Sequence, residues 1–217
     1  MIVNLCFHGI GVCETEREEG ESRYWVSEST FLDILDDVAG DPRVRLSFDD
    51  GNRSDVEIAL PALRDRGLTA TFFALAGRLN DAASLSASDL VELRRNGMRI
   101  GSHGWSHVPW KGLSVDEAHR ELVDARTVLT EASGGAIEQA ALPLGRYDRE
   151  LIRRVKAAHY ATLFTSDRFP ARPGAWLQAR YSVTAQDTID TVRRIRTHAP
   201  GMRELRNIAA SVVKRSR

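Results

Sequence analysis

Only two cysteines, Cys6 and Cys13, occur in 217 residues, and both lie near one end of the chain. Such a pair builds no disulfide framework, so the fold must rest on an apolar core, and free thiols fit a reducing compartment. Net charge is also missing, because thirty Lys and Arg are cancelled by thirty Asp and Glu. A neutral chain has no broad field with which to draw in nucleic acid, and no nucleic-acid partner is expected. No apolar run approaches the ~20 residues of a transmembrane helix. The short apolar start, Met1 to Phe7, lacks the basic flank, long apolar stretch and cleavage site of a signal peptide. A cytoplasmic address without a transmembrane segment is the expectation. Low-complexity segments and linkers are absent too, so a single domain over residues 1–217 is expected, and nothing in the pattern specifies an oligomer.

The composition that remains, 42% hydrophobic and 28% charged, suits a globular protein with a sizeable core. Short apolar runs alternate with amphipathic stretches. Strands are expected at Ile2 to Phe7, Val44 to Phe48, Thr69 to Leu75, Met98 to Ile100, Ile137 to Leu142, Tyr160 to Phe164 and Trp176 to Val183. Between them, Ser27 starts a helix that Gly40 stops, and Ser54 caps one in which Pro61 predicts a kink. Further helices are expected over Ser88 to Arg95, Ser114 to Ala132 (with Glu117 completing a capping box), Asp148 to Ala158, and much of 185–196 and 202–214. Repeated strand–helix units of this number predict an α/β fold whose parallel sheet is a closed or nearly closed barrel. Barrels of this kind carry their sites at the C-terminal strand ends.

The unusual polar residues fall at those ends. His8 follows the first strand, Asp49 and Asp50 the second, His103 a later one and Pro143 another. Two adjacent carboxylates entering a cleft repel unless a cation or other partner compensates; on an extended segment one can hold metal while its neighbour faces water. Asp-Asp-Gly is also ordinary turn composition. His103 and His107 share a face if their segment is helical, and two imidazoles with one carboxylate leave positions open for water and substrate, as a catalytic metal requires. An aspartyl-phosphate enzyme is a third reading, but its Asp-x-Asp spacing is not met.

These residues carry a resemblance. Leu46-Ser47-Phe48-Asp49-Asp50-Gly51 looks like the first motif of the polysaccharide deacetylases (the NodB-homology domain of carbohydrate esterase family 4). Ser102-His103-Gly104-Trp105-Ser106-His107 resembles the second, and Ala141-Leu142-Pro143-Leu144-Gly145-Arg146-Tyr147 a divergent third. Ala59 to Leu63 and Gly67 to Phe73 match as well, so the likeness spans roughly residues 5 to 183. It implies a distorted (β/α)7 barrel and an N-acetylated carbohydrate substrate. It further implies one divalent cation, zinc first with cobalt or nickel as alternatives, held by Asp50, His103 and His107. Asp49 then inherits the role of base, and Leu144 lends a backbone N–H to the oxyanion. Cys6-Phe7-His8-Gly9 is similar to the displaced last strand of a permuted branch, that of enzymes deacetylating poly-N-acetylglucosamine, which gives His8 the role of acid; His198 is the only late alternative.

Two departures stand out, with a smaller third. The arginine that the third motif commonly directs at the base is replaced by Ala141, which removes a partner for Asp49 unless another residue substitutes; the aromatic usual before that motif's glycine is replaced by Leu144; and Gly104 replaces a usual Ser or Thr and alters local support for His103. Among the tryptophans, Trp25, Trp105, Trp110 and Trp176 offer faces for sugar stacking or for ordinary packing. Trp105, between the two histidines, is the one expected in the cleft, with Pro143 also beside substrate. His119 and His159 read as surface residues. The expected activity is metal-dependent hydrolysis of an N-acetyl group from an amino sugar or its polymer. An amidohydrolase for non-sugar amides and a degenerate carbohydrate-binding domain remain as alternatives.

Overall fold

The computed structural model describes residues 1–197 and 201–217; the alternative acid His198 lies outside them. Among the described residues ten strands form: β1 (Val3–Phe7), β2 (Gly9–Ile10), β3 (Trp25–Val26), β4 (Val44–Asp49), β5 (Ala70–Ala74), β6 (Arg99–Ser102), β7 (Gln139–Ala141), β8 (Thr162–Thr165), β9 (Leu177–Ala179) and β10 (Tyr181–Ser182). Eight of them make one parallel sheet in the order β10-β1-β4-β5-β6-β7-β8-β9. The two ends of that order, β9 and β10, are separated in sequence by Arg180 alone. The expected strand over 176–183 is thus one broken strand that pairs with β8 before the break and with β1 after it. Counted once, it makes the sheet the nearly closed seven-strand barrel that the resemblance implies.

Strand residues alternate between the two faces of the barrel wall. Phe7, Phe48 and Phe72 point outward, stacked at 5.5 and 4.6 Å, and Phe7 and Phe48 meet Phe31 of helix α1 (Glu28–Val38). Their neighbours Cys6, Ser47, Asp49 and Phe73 point inward, where Ala141 and Phe164 complete a small separate apolar cluster with Phe73. Helix α1 buries Phe31, Ile34, Leu35 and Val38, one stripe at helical spacing, and the Ser27 hydroxyl caps it by accepting from the Thr30 N–H.

Two helices depart from expectation, and both departures matter. Ser54 does not cap its helix; its hydroxyl accepts from the Ile10 N–H at 3.2 Å. The segment opens instead as a π turn (Asp55–Ala59) before α2 (Leu60–Asp65), so Pro61 falls in the first turn of α2, where its missing N–H costs no hydrogen bond. The helix expected over 114–132 has its Ser114/Glu117 capping box but is interrupted: α4 (Val115–His119) passes through a π turn (Arg120–Asp124) into α5 (Ala125–Ser133). Each π turn carries a buried carboxylate, Asp55 and Glu121. The other helices, α3 (Ala87–Arg95), α6 (Arg149–Ala157), α7 (Ile189–Thr197) and α8 (Met202–Ser216), fall where the pattern put them. No helix among the described residues is long and apolar enough to cross a membrane.

Candidate metal centre

β4 delivers Asp49 and Asp50 to the C-terminal rim, both buried. The backbone leaves the strand through two left-handed residues, Asp50 (φ 74°) and Gly51 (φ 65°), a conformation that costs a non-glycine residue roughly 1–2 kcal/mol. This turn directs the Asp50 carboxylate toward the loop after β6. Asp50 Oδ1 lies 3.4 Å from His103 Nε2 and 3.3 Å from His107 Nε2. The same oxygen is buried without a hydrogen-bond partner. Ligand atoms at ~2.0–2.2 Å from one zinc ion stand roughly 3.0–3.5 Å apart. An orphaned carboxylate oxygen and two imidazole nitrogens at that spacing fit a divalent cation.

The juxtaposition does not come from a helix, which corrects the reading of the His-x-x-x-His spacing. Residues 103–107 form a loop in which Gly104 (φ 88°) and His107 (φ 56°) both take left-handed conformations. Glu121, carried inward by its π turn, ties this loop down: its carboxylate accepts from the Trp105 N–H at 2.7 Å, the Ser106 N–H at 3.0 Å and the Trp110 indole N–H at 3.2 Å. A Cβ at position 104 would collide with that carboxylate and come within 2.8 Å of Trp110 Nε1. Gly104 is therefore a packing requirement of the loop rather than a loss of support for His103.

Each imidazole is oriented from behind. His103 Nδ1 meets the Ala141 carbonyl at 2.9 Å, and His107 Nδ1 meets the Glu18 carboxylate at 2.6 and 2.7 Å. Proton donation through Nδ1 leaves each Nε2 lone pair facing Asp50, the arrangement that metal-binding histidines use. Burial, outweighing the neighbouring carboxylates, holds His103 down to about 4, so its ring is neutral at neutral pH. For Asp50, burial pushes the carboxyl up, but His8, His107 and His103 together hold it below its ordinary value.

Asp49 is not left without a guanidinium. Arg180, at the break between β9 and β10, donates to both carboxylate oxygens at 2.6 and 2.7 Å and to the Ser47 hydroxyl at 3.1 Å. Its guanidinium lies 5.2 Å from the Phe73 ring and 5.7 Å from Phe164, the two side chains that cluster with Ala141. The space opened by the small residue at 141 is thus next to that filled by an arginine from another strand. Burial alone would raise Asp49; Arg180, assisted by His103 and His8, overrides it and holds the carboxyl well below the usual range. Ligand atoms of Cys6, His8 and Asp49 also lie within 4.8 Å of one another. With both Asp49 oxygens engaged by a guanidinium and the Cys6 thiol pushed up by burial, that second group does not suit a cation.

A cleft of about 340 Å³ opens over these residues. His8, Asp49, Asp50, His103, His107, Arg180 and Leu144 all line it. His8 presents a ring packed against Tyr24 at 4.8 Å and tilted by 33°, with its Nδ1 buried and unpartnered. Leu144 sits on a left-handed residue (φ 55°) in the turn after β7. Trp105 and Pro143 do not line the cleft. Trp105 packs against Gly77 beneath the Arg120 guanidinium, and Pro143 is buried in its turn. Nor do the other tryptophans: Trp110 is buried, Trp25 packs on Gly9 and Trp176 bonds the Tyr160 carbonyl. The aromatic side chain in the wall is Tyr24.

Arg180, Glu18, Glu121 and Tyr24 were not singled out in the sequence. The signal for Arg180 was its place inside an apolar strand, where a buried cation needs a carboxylate. Glu18 and Tyr24 belong to the charged loop after β2, in which Arg17 pairs with Glu21 and fastens the loop to the barrel through Asn52 and Ser84.

The family model for polysaccharide deacetylase matches residues 36–163. YxkH of Bacillus subtilis, named for that family, is 24% identical over 148 residues, 68% of this chain and 51% of its own. The chain therefore spans about half the length of that relative. Among solved structures, the Streptococcus pyogenes deacetylase PplD superposes with a TM-score of 0.76 at 21% identity, covering 89% of this chain and 97% of its own. IcaB from Ammonifex degensii gives 0.72 at 22% identity, covering 88% and 94%. At these identities the structural likenesses establish a shared fold.

Proposed function

This chain belongs to the polysaccharide deacetylase family, and we propose that it hydrolyses the N-acetyl group of an amino sugar, free or within a polymer, with one divalent cation at its centre. The observation that carries this reading is the convergence of Asp50 Oδ1, His103 Nε2 and His107 Nε2 beside the buried Asp49–Arg180 pair. Those three side chains hold the cation, which when bound supplies a Lewis acid for the acyl oxygen and lowers the pKa of water. Zinc suits two imidazoles and a carboxylate, and cobalt or nickel can replace it.

The chain's own residues divide the remaining work. Asp49, kept ionised and in one orientation by Arg180, takes a proton from the attacking water. Oxygen then bonds to the acyl carbon, and the backbone N–H of Leu144 is assigned to the developing oxyanion. As the carbon–nitrogen bond breaks, His8, at the end of the strand beside that of Asp49, gives its proton to the amine, which departs free while acetate remains. Acetate is the molecule bound to PplD in its solved complex.

Arg180 also bears on the rival reading of a degenerate binding domain. A missing arginine at position 141 favours that reading, but a bidentate partner for Asp49 supplies what the position lacks. The deciding experiment is an acetate-release screen across N-acetylated sugars, their oligomers and small non-sugar amides, with defined Zn²⁺, Co²⁺ or Ni²⁺ loading. Metal-dependent acetate from an amino sugar is the expected result, and Asp49→Asn should keep the metal but lose about 10²–10⁴-fold in turnover. Oligosaccharide binding without acetate, or cleavage confined to non-sugar amides, would sink the proposal.

A further inference from the structure

The last helix is attached to the barrel by the wrong face. Inward-pointing residues of α8 are polar: the Ser211 hydroxyl is 2.8 Å from the Tyr147 hydroxyl, Lys214 donates to Asp167 at 2.7 Å, and Asn207 reaches the Arg168 carbonyl at 3.4 Å. The outward face is apolar. Met202, Leu205, Val212 and Val213 are 79, 53, 51 and 44% exposed, and with Ala209 and Ser216 they fall on one arc of roughly 100° along the helix. A helix held mainly by its polar side, with Ile208 alone of its large apolar residues half-buried, gains little from burial, so its apolar stripe is unexplained by the fold itself.

Charge says what covers it. Residues 189–217 contain eight Lys and Arg against two Asp and Glu, in a chain whose total is neutral. Arg193 and Arg196 pair with Asp37, and Lys214 with Asp167. Arg194, Arg203, Arg206 and Arg217 have no acidic partner among the described residues. Arg206 and Arg217 border the apolar stripe on one edge. Arg194 and Arg203 line a groove of about 410 Å³ between α7 and α8, together with Arg168 and the one acid there, Glu204.

We propose that α8 lies on an anionic lipid bilayer, with the stripe from Met202 to Val213 in the interface and the flanking arginines on lipid phosphates. An interfacial helix needs this pairing of an apolar face with basic borders. Nucleic acid would use the arginines but leave the stripe in water. A second copy paired antiparallel about a two-fold axis would bring like-charged arginine edges together.

The test uses the intact protein in co-sedimentation with vesicles of phosphatidylcholine alone or mixed with phosphatidylglycerol. Binding to the mixed vesicles only is expected, falling with salt. Arg206→Glu with Arg217→Glu should weaken it by at least about fivefold per arginine. Leu205→Glu with Val212→Glu should abolish it with the melting temperature unchanged, since both side chains face outward. The proposal is overturned if the two vesicle types behave alike, or if the Leu205/Val212 variant still sediments. It is likewise overturned if duplex DNA competes as effectively as phosphatidylglycerol, or if sedimentation in solution shows a dimer that the apolar variant dissolves.

Discussion

Arg180 and Asp49, 131 positions apart in the chain, form a bidentate ion pair inside the barrel, with both N···O distances under 2.8 Å. The pair sits where the sequence shows a gap, because Ala141 occupies the position from which an arginine was expected to reach the base. Barrel geometry makes the exchange possible. β7, β8 and β9 are neighbours in the sheet, so inward side chains from β7 and from the β9–β10 break share one interior.

Removing this guanidinium should therefore have two separable effects. Arg180→Ala leaves a buried carboxylate unpaired, at a stability cost of about 3–5 kcal/mol, measurable by urea unfolding. Since Arg180 is the strongest influence lowering Asp49, its loss lets burial raise that carboxyl, and the acid limb of kcat/KM should move to higher pH. Metal content should not change. An unshifted acid limb in a folded Arg180→Ala protein would remove Arg180 from the proposed mechanism.

Glu18 is expected to act on the cation through His107 alone. Glu18→Ala frees the ring that its carboxylate orients, and the loss of such a partner weakens metal affinity by about 10–100-fold. Titration against a competing chelator reads this directly, and Glu18→Gln should fall between the two. Equal affinities in all three proteins would mean that the charged loop does not support the site.

Gly104 offers a test of the loop. Gly104→Ala imposes a left-handed strain of roughly 1–2 kcal/mol and a collision with the Glu121 carboxylate, so both melting temperature and metal uptake should drop. Gly134, equally left-handed but with nothing near its missing Cβ, is the control: Gly134→Ala should show the strain without losing metal.

Much of this could be read from the sequence, for identifiable reasons. Parallel strands buried on both faces appear as unbroken apolar runs, and the polar residues that end them, His8, Asp49, Asp50 and His103, mark the rim of the barrel. What was hidden depends on contacts between distant segments. The His103–His107 spacing suggested a helix, whereas a loop pinned by Glu121 supplies the geometry. Trp105 looked like a cleft residue by its position between two histidines, yet successive loop residues point apart and its ring turns to Gly77. Asp55 and Glu121 gave no hint of burial, because a π turn rotates the face that a regular helix would present.

The pH dependence of the metal-free protein follows from His103. Its folded value of about 4 lies below the ordinary 6.5, so the unfolded chain binds the proton more readily between those values. The stability this contributes is complete above pH 6.5 and is lost as pH falls toward 4, on the order of 3 kcal/mol in total. Urea unfolding of the apo-protein from pH 7 to pH 5 should show that decline, and His103→Gln should flatten it. A decline of equal slope in the variant would assign it to other groups.

The most direct test of the centre is anomalous diffraction at the zinc edge from crystals soaked in zinc. A single peak is predicted at about 2.0–2.2 Å from Asp50 Oδ1, His103 Nε2 and His107 Nε2 together. A peak elsewhere, or none within bonding distance of all three atoms, contradicts it.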